Sequence, residues 1–140
     1  RIENKLAEIY FKLEKYHDSL VLLQKLTYEL KKKEDKTIVE AQLIESKVYH
    51  ALENIPKAKA SLTSVKTTAN SIYVVPYLQA EIDFMSGLIA ADEKDYNTSY
   101  SYFYETFEGY RSLNDPLAGT AFKFMLFSKI MNKKVKMHSI

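Results

Sequence analysis

The chain has 140 residues, is 46% hydrophobic and 27% charged, and carries a formal net charge of +2. That mix excludes a disordered chain, and the absence of cysteine excludes disulfides and every thiolate metal site. With only three glycines and three prolines, the many turns of a sandwich or barrel are out of reach, and the expected class is all-α.

Helices are expected in antiparallel pairs over 2–13, 16–33, 38–52, 56–71, 76–91, 96–112 and 116–131, with another starting near 135. Three starts carry explicit signals. Thr37-Ile38-Val39-Glu40 has the spacing of a capping box, in which Thr37 caps free backbone donors and Glu40 reaches back. Pro76 opens the segment that ends in SGLIAA, and Asp115-Pro116 combines an N-cap with a proline in the first turn. Within 56–71, Ala58, Leu62, Val65, Ala69 and Ile72 form one apolar stripe, leaving Lys57, Lys59 and Lys66 to face water.

The helix pairs repeat. Ala7-Tyr10-Tyr16-Ser19-Leu23-Leu26, Ser46-Tyr49-Ile55-Ala58-Leu62-Val65 and Gly87-Ala90-Tyr96-Ser99-Phe103-Thr106 share the internal offsets 3, 6, 3, 4 and 3, at steps of 39 and 41 residues. A further set is expected from Ser128, with Met131, Met137 and Ile140 in place. The small residue that opens each set lets the first helix approach the second, and the bulky residue nine places later plugs the bend. The small residue three further on lies where the backbones are nearest. This is the logic of a tetratricopeptide hairpin, lengthened from its usual period of about 34. A lone hairpin cannot bury its apolar face, so the expected architecture is an α-solenoid over residues 1–140, with the repeated sets as its buried positions.

The stretch SYSYFYETFEGY at 99–110 alternates like a strand but also recurs at helical steps. On a helix, Tyr96, Tyr100, Phe103, Phe107 and Tyr110 form one wide stripe, Tyr102 falls on the opposite side and Tyr104 lies beside the stripe. The basic, glycine-rich frame of RNA-binding aromatic platforms is absent.

Chemistry-bearing residues do not converge. His17, His50 and His138 lie on different hairpins without metal-ligand spacing. Asp92, Glu93 and Asp95 gather at an expected exposed hairpin tip, where Asp95 is better read as aiding a helix N-terminus. There is no phosphate-cradling glycine loop and no nucleophile elbow. No catalytic, cofactor-binding or metal-ligating residue is therefore assigned. Lys31, Lys32, Lys33 and Lys36 are read as a solvated helix terminus, against an electrostatic contact with an acidic partner. Lys133, Lys134 and Lys136 pose the same choice. With two arginines and a small net charge, nucleic acid is not an expected partner. No apolar run approaches the roughly 20 residues that cross a bilayer, so no membrane role is expected. The chain begins at Arg1 without methionine, and is expected to be an excised piece.

The stretches QLIESKVYHAL at 42–52, IPKAKASLTSVKTTANSIY at 55–73, YSYFYETFEGY at 100–110 and DPLAGTAFKFMLFSKIM at 115–131 resemble the PCI-domain lid subunits of the eukaryotic 26S proteasome. The resemblance implies a non-enzymatic scaffold in cytoplasm and nucleus that takes no cofactor. It implies contacts with other lid subunits, the ATPase ring and the core particle, in support of ubiquitin-dependent degradation. These subunits have an arm of tetratricopeptide-like helices leading to a PCI and winged-helix region. No such region is recognised among these residues, so the chain would be a middle part of the arm. The alternative is a free-standing tetratricopeptide-like adaptor that holds peptides in a concave groove.

Overall fold

The computed structural model describes the backbone over residues 16–138 and side chains over 21–138. The helix expected at 2–13, Ala7, Tyr10, Ile140 and the side chains of Tyr16, His17 and Ser19 lie outside the described residues. Five helices follow one another: α1 (Tyr16–Ala51), α2 (Ile55–Ala69), α3 (Pro76–Asp92), α4 (Tyr96–Ser112) and α5 (Leu117–His138). The chain divides into two units, Arg1–Thr37 and Ile38–Ile140.

Two expected helix breaks are absent. The segments 16–33 and 38–52 form one 36-residue helix, α1. Thr37 does not cap, because its Oγ1 donates to the Lys33 carbonyl four residues back, at 3.0 Å. Nothing in Lys31–Lys36 breaks a helix, and a hydroxyl offered an i−4 carbonyl can satisfy itself inside one. The lysine run accordingly sits within α1 rather than at a terminus, with Lys32 Nζ 4.5 Å from the Tyr28 ring centroid. Likewise α5 runs through Asn132-Lys133-Lys134 to His138 without a bend. The set expected to open at Ser128 therefore forms no hairpin, and Met137 is 67% exposed. In the first unit Leu23, a member of the first set, is also largely exposed.

From Ile38 onward the helices stack as tetratricopeptide-like pairs. The later part of α1 runs antiparallel to α2, α3 to α4, and α4 to α5, as the contacts Ser46–Ala58 with Glu45–Ser61, Tyr77–Tyr110 with Phe84–Phe103, and Tyr96–Phe127 with Phe107–Phe122 show by their opposite order along each pair. Val39 and Leu43 of α1, Ala58, Leu62 and Val65 of α2, and Leu78, Ile82, Met85 and Ile89 of α3 make one core cluster. The α2 stripe is thus as expected, with Ala69 and Ile72 partly buried against that cluster. The second and third sets are buried at their small and central positions: Ser46, Ala58, Leu62 and Val65, then Gly87, Ser99, Phe103 and Thr106.

Polar members of the sets are satisfied locally. Ser46 Oγ donates to the Ala58 carbonyl at 2.8 Å, which binds α1 to α2 where both residues are small. Thr106 stands where the earlier sets have leucine and valine. Its Oγ1 donates to the Tyr102 carbonyl at 2.9 Å, so the β-branched shape is kept and the hydroxyl is paired. Ser128 packs back on the preceding helix, its Oγ 2.8 Å from that of Ser99.

One device makes three of the turns. Glu53, Lys94 and Asn114 have φ of 59°, 62° and 54°. The next residue in each case donates its N–H to a carbonyl five positions back: Asn54 to Tyr49, Asp95 to Ala90 and Asp115 to Tyr110, at 2.9–3.0 Å. That residue then caps the following helix, through Lys57 N–H to Asn54, Thr98 N–H to Asp95 and Leu117 N–H to Asp115. A Schellman stop and an N-cap start share a single residue, which fixes the tight reversal that hairpin stacking needs. Lys94 is exposed and holds a left-handed conformation that costs an ordinary L-residue about 1–2 kcal/mol. Glycine forfeits about 0.5–1 kcal/mol of unfolded-state entropy there. Lys94→Gly is therefore expected to stabilise the chain by about 0.5–1 kcal/mol in urea unfolding, and a loss of stability would show the turn to be unstrained.

Candidate interaction surface

Four side-chain bridges join the first hairpin of the second unit to the next. Lys47 on α1 pairs with Glu81 on α3, and His50 Nε2 meets Asp92 Oδ2. Lys59 Nζ on α2 reaches Glu93 at 2.9 Å, and Lys66 Nζ donates to the Tyr102 hydroxyl at 2.9 Å, 4.4 Å from the ring centroid. These partners are 34 to 42 residues apart, one repeat. The bridges register neighbouring repeats, though exposed pairs of this type each contribute only a fraction of a kcal/mol.

The residues singled out in the sequence are dispersed among these roles. His50 and Asp92 form a bridge rather than a site, and His138 is exposed at the end of α5. Asp95 caps α4 by accepting from the Thr98 N–H at 3.2 Å and the Thr98 hydroxyl at 2.8 Å. Tyr102, on the opposite side from the α4 stripe, is the acceptor for Lys66, while Tyr104 is 44% exposed. Among the described residues no three histidine, cysteine or acidic side chains gather to hold a metal ion. None of the described helices is long and apolar enough to cross a membrane.

Where α1, α3, α4 and α5 meet lies a groove of about 380 Å³, lined by Lys47, His50, Tyr77, Glu81, Phe84, Leu88, Tyr110 and Leu117, among others. Its charged members are paired across it, and its walls are mostly aromatic and aliphatic. Tyr77 and Tyr110 meet edge to face with centroids 5.7 Å apart. Burial, with Glu81, Tyr77 and Asp115 adding to it, pushes the Tyr110 phenol up to about 12. Sequence reasoning did not find this groove, because its lining comes from four helices, α1, α3, α4 and α5, and no local spacing marks it.

Several large apolar side chains of α1 and α5 are exposed. Ile44 and Val48 of α1, Leu52 just after it, and Leu126, Ile130 and Met137 of α5 are each 43–70% exposed, whereas the rings of Phe122 and Phe127 lie against Phe107 and Tyr96 of α4. Large exposed apolar side chains close together on one helix suit contact with another protein surface.

No family model matches the chain. The 26S proteasome non-ATPase regulatory subunit 11 of Dictyostelium discoideum is 50% identical over 135 residues, which is 96% of this chain and 33% of that protein. The chain is homologous to this proteasome subunit. The probable 26S proteasome regulatory subunit rpn6 of Schizosaccharomyces pombe is 48% identical over 136 residues, 96% of this chain and 32% of the relative. The probable subunit rpn-6.1 of Caenorhabditis elegans is 50% identical over 130 residues, 91% of this chain and 30% of the relative. The chain thus spans about a third of the length of these curated relatives.

Proposed function

We propose that the chain is a non-catalytic scaffold segment of the 26S proteasome regulatory particle lid, acting through protein–protein contacts in cytoplasm and nucleus. The observation that carries this reading is the near-half identity to 26S proteasome regulatory subunits over more than nine-tenths of the chain. The stacked hairpins support it physically, since a repeat stack offers long surfaces and a stiff spacer. Residues 1–140 would form one tetratricopeptide-like arm, with any PCI and winged-helix region supplied elsewhere in the protein. The partners would be other lid subunits, the ATPase ring and the core particle, and the role would be support of assembly and ubiquitin-dependent degradation.

The test is affinity purification of the full-length gene product from its native cells, followed by mass spectrometry and by depletion. Lid, ATPase and core-particle subunits are expected to co-purify in stoichiometric amounts, and depletion is expected to raise ubiquitin conjugates. Purification as a free monomer, with conjugate levels unmoved by depletion, would overturn the proposal.

A further inference from the structure

α3 and α5 present the same places to α4. Ala80 and Gly87 of α3 lie against Gly109 and Phe103. The residues 41 positions on, Ala121 and Ser128, are buried in α5, with Ser128 on Ser99. The other apolar face of α3, made of Leu78, Ile82, Met85 and Ile89, closes one core cluster with α1 and α2. Its counterparts on α5, again 41 positions on, are Gly119, Lys123, Leu126 and Ile130. No described helix covers these. Leu126 is 43% and Ile130 58% exposed, and a β-carbon on Gly119 would meet nothing within 4 Å. At about 100° per residue, Leu126, Ile130 and Met137 fall on one outer line, opposite Ala121, Met125 and Ser128. Lys129 and Lys133 border that line on one side, and Lys123 and Lys134 on the other. α5 contains no aspartate or glutamate. Lys129 Nζ lies 5.5 Å from the Tyr100 ring centroid. Lys123, Lys133 and Lys134 have no ion pair among the described residues.

We propose that the outer face of α5 docks an acidic amphipathic helix of a partner protein, whose apolar residues meet Leu126, Ile130 and Met137 and whose carboxylates meet the lysines on either side. Two features select this occupant. The same places on α3 are covered by helices, so the repeat already shows what shape fits there. The charge decides which helix. Lys123 stands where α3 has Ile82, and an apolar helix laid over it would bury an unpaired ammonium group. A helix with carboxylates along its borders pairs that lysine and the others, and complementary charge also fixes the register of docking. A membrane surface fits less well. Helices that lie in a bilayer interface insert aromatic and large apolar side chains, whereas the rings of Phe122, Phe124 and Phe127 are turned onto α3 and α4. Such docking would hold whether or not the chain serves in the proteasome lid.

The test places a photo-crosslinking amino acid at position 130 of the full-length gene product in its native cells and sequences what it captures. The expected product is one segment of another polypeptide, net acidic and with apolar residues at helical spacing. A synthetic peptide of that segment is then expected to bind the purified full-length product, less tightly as salt is added. The double variant Lys133→Glu with Lys134→Glu should weaken that binding about tenfold or more, because it sets like charges against each other. Both lysines are exposed, so the variant should melt with the wild type. An acidic helix from outside the proteasome would support the docking site while counting against the lid reading. Crosslinking to the gene product's own chain, to lipid, to a neutral or basic segment or to nothing would overturn the docking site. So would peptide binding that the charge reversal leaves unchanged.

Discussion

Phe103→Ala is expected to cost about 3–5 kcal/mol, the largest effect of any single substitution considered, because it removes the most central side chain of the second unit. The ring is fully buried. Phe84 of α3 and Phe124 of α5 lie with centroids 5.7 and 5.3 Å from it, and Phe84 and Phe124 touch each other at 5.2 Å. The three rings tie α3, α4 and α5 together at one point. Each aromatic pair adds about 0.5–1.5 kcal/mol beyond area burial, so truncation loses two such contacts as well as the buried surface. The backbones around the cavity are those of three helices already in contact, and they have little room to collapse. Against a total stability of about 5–15 kcal/mol, a loss of this size leaves a marginal fold. Urea unfolding measures the loss, and a value under about 1 kcal/mol would show that Phe103 is not the anchor. Hydrogen exchange should show where the damage falls. In a stack whose elements couple only to their neighbours, α5 should lose protection first, while the Ser46–Ala58 hairpin keeps its own.

Much of this arrangement was legible in the chain, for a physical reason. The starts at Pro76 and Asp115-Pro116 are set by atoms within a few residues of one another, and α3 and α5 begin there to within one residue. The small and bulky places of the second and third sets are likewise set by how closely two helices joined by a short turn can approach. Ser46, Ala58, Ser99 and Phe103 are buried for that reason. The failures share a cause too. A capping box is a real preference, but it operates only where a helix has already ended. Nothing in Lys31–Lys36 ends one, so Thr37 spends its hydroxyl on Lys33 and α1 continues. The set begun at Ser128 failed similarly: its offsets fit, but no residue between Met131 and Met137 breaks α5. Nor could spacing reveal the groove or the partner of Tyr102. Those depend on helices 34 to 42 residues apart being brought side by side, and only the stacked hairpins do that.

The second large effect is a coupling between Gly87 and Phe103. A β-carbon built on Gly87 would lie 2.5 Å from Phe103 Cε1 and 2.6 Å from its Cδ1, closer than real atoms come. The ring cannot step aside, because Phe84 and Phe124 hold its other faces. Glycine is required here for space, not for conformational freedom, since its φ is not positive. Gly87→Ala is thus expected to destabilise by about 1–3 kcal/mol through overpacking, although alanine gains about 1 kcal/mol over glycine in a helix interior. The neighbouring repeat solves the same steric problem the other way round. Where the third set has Gly87 and Phe103, the second has Ser46 and Leu62, a larger residue facing a smaller one. The double variant Gly87→Ala with Phe103→Leu should therefore recover part of the loss. Its destabilisation should fall short of the sum of the two single effects by about 1 kcal/mol or more, well above the few tenths seen for independent sites. Additive losses would show that the two positions do not share one volume. A positive coupling would mean that the repeat is a packing rule that trades size between fixed partners, and that Gly87 is small because Phe103 is large.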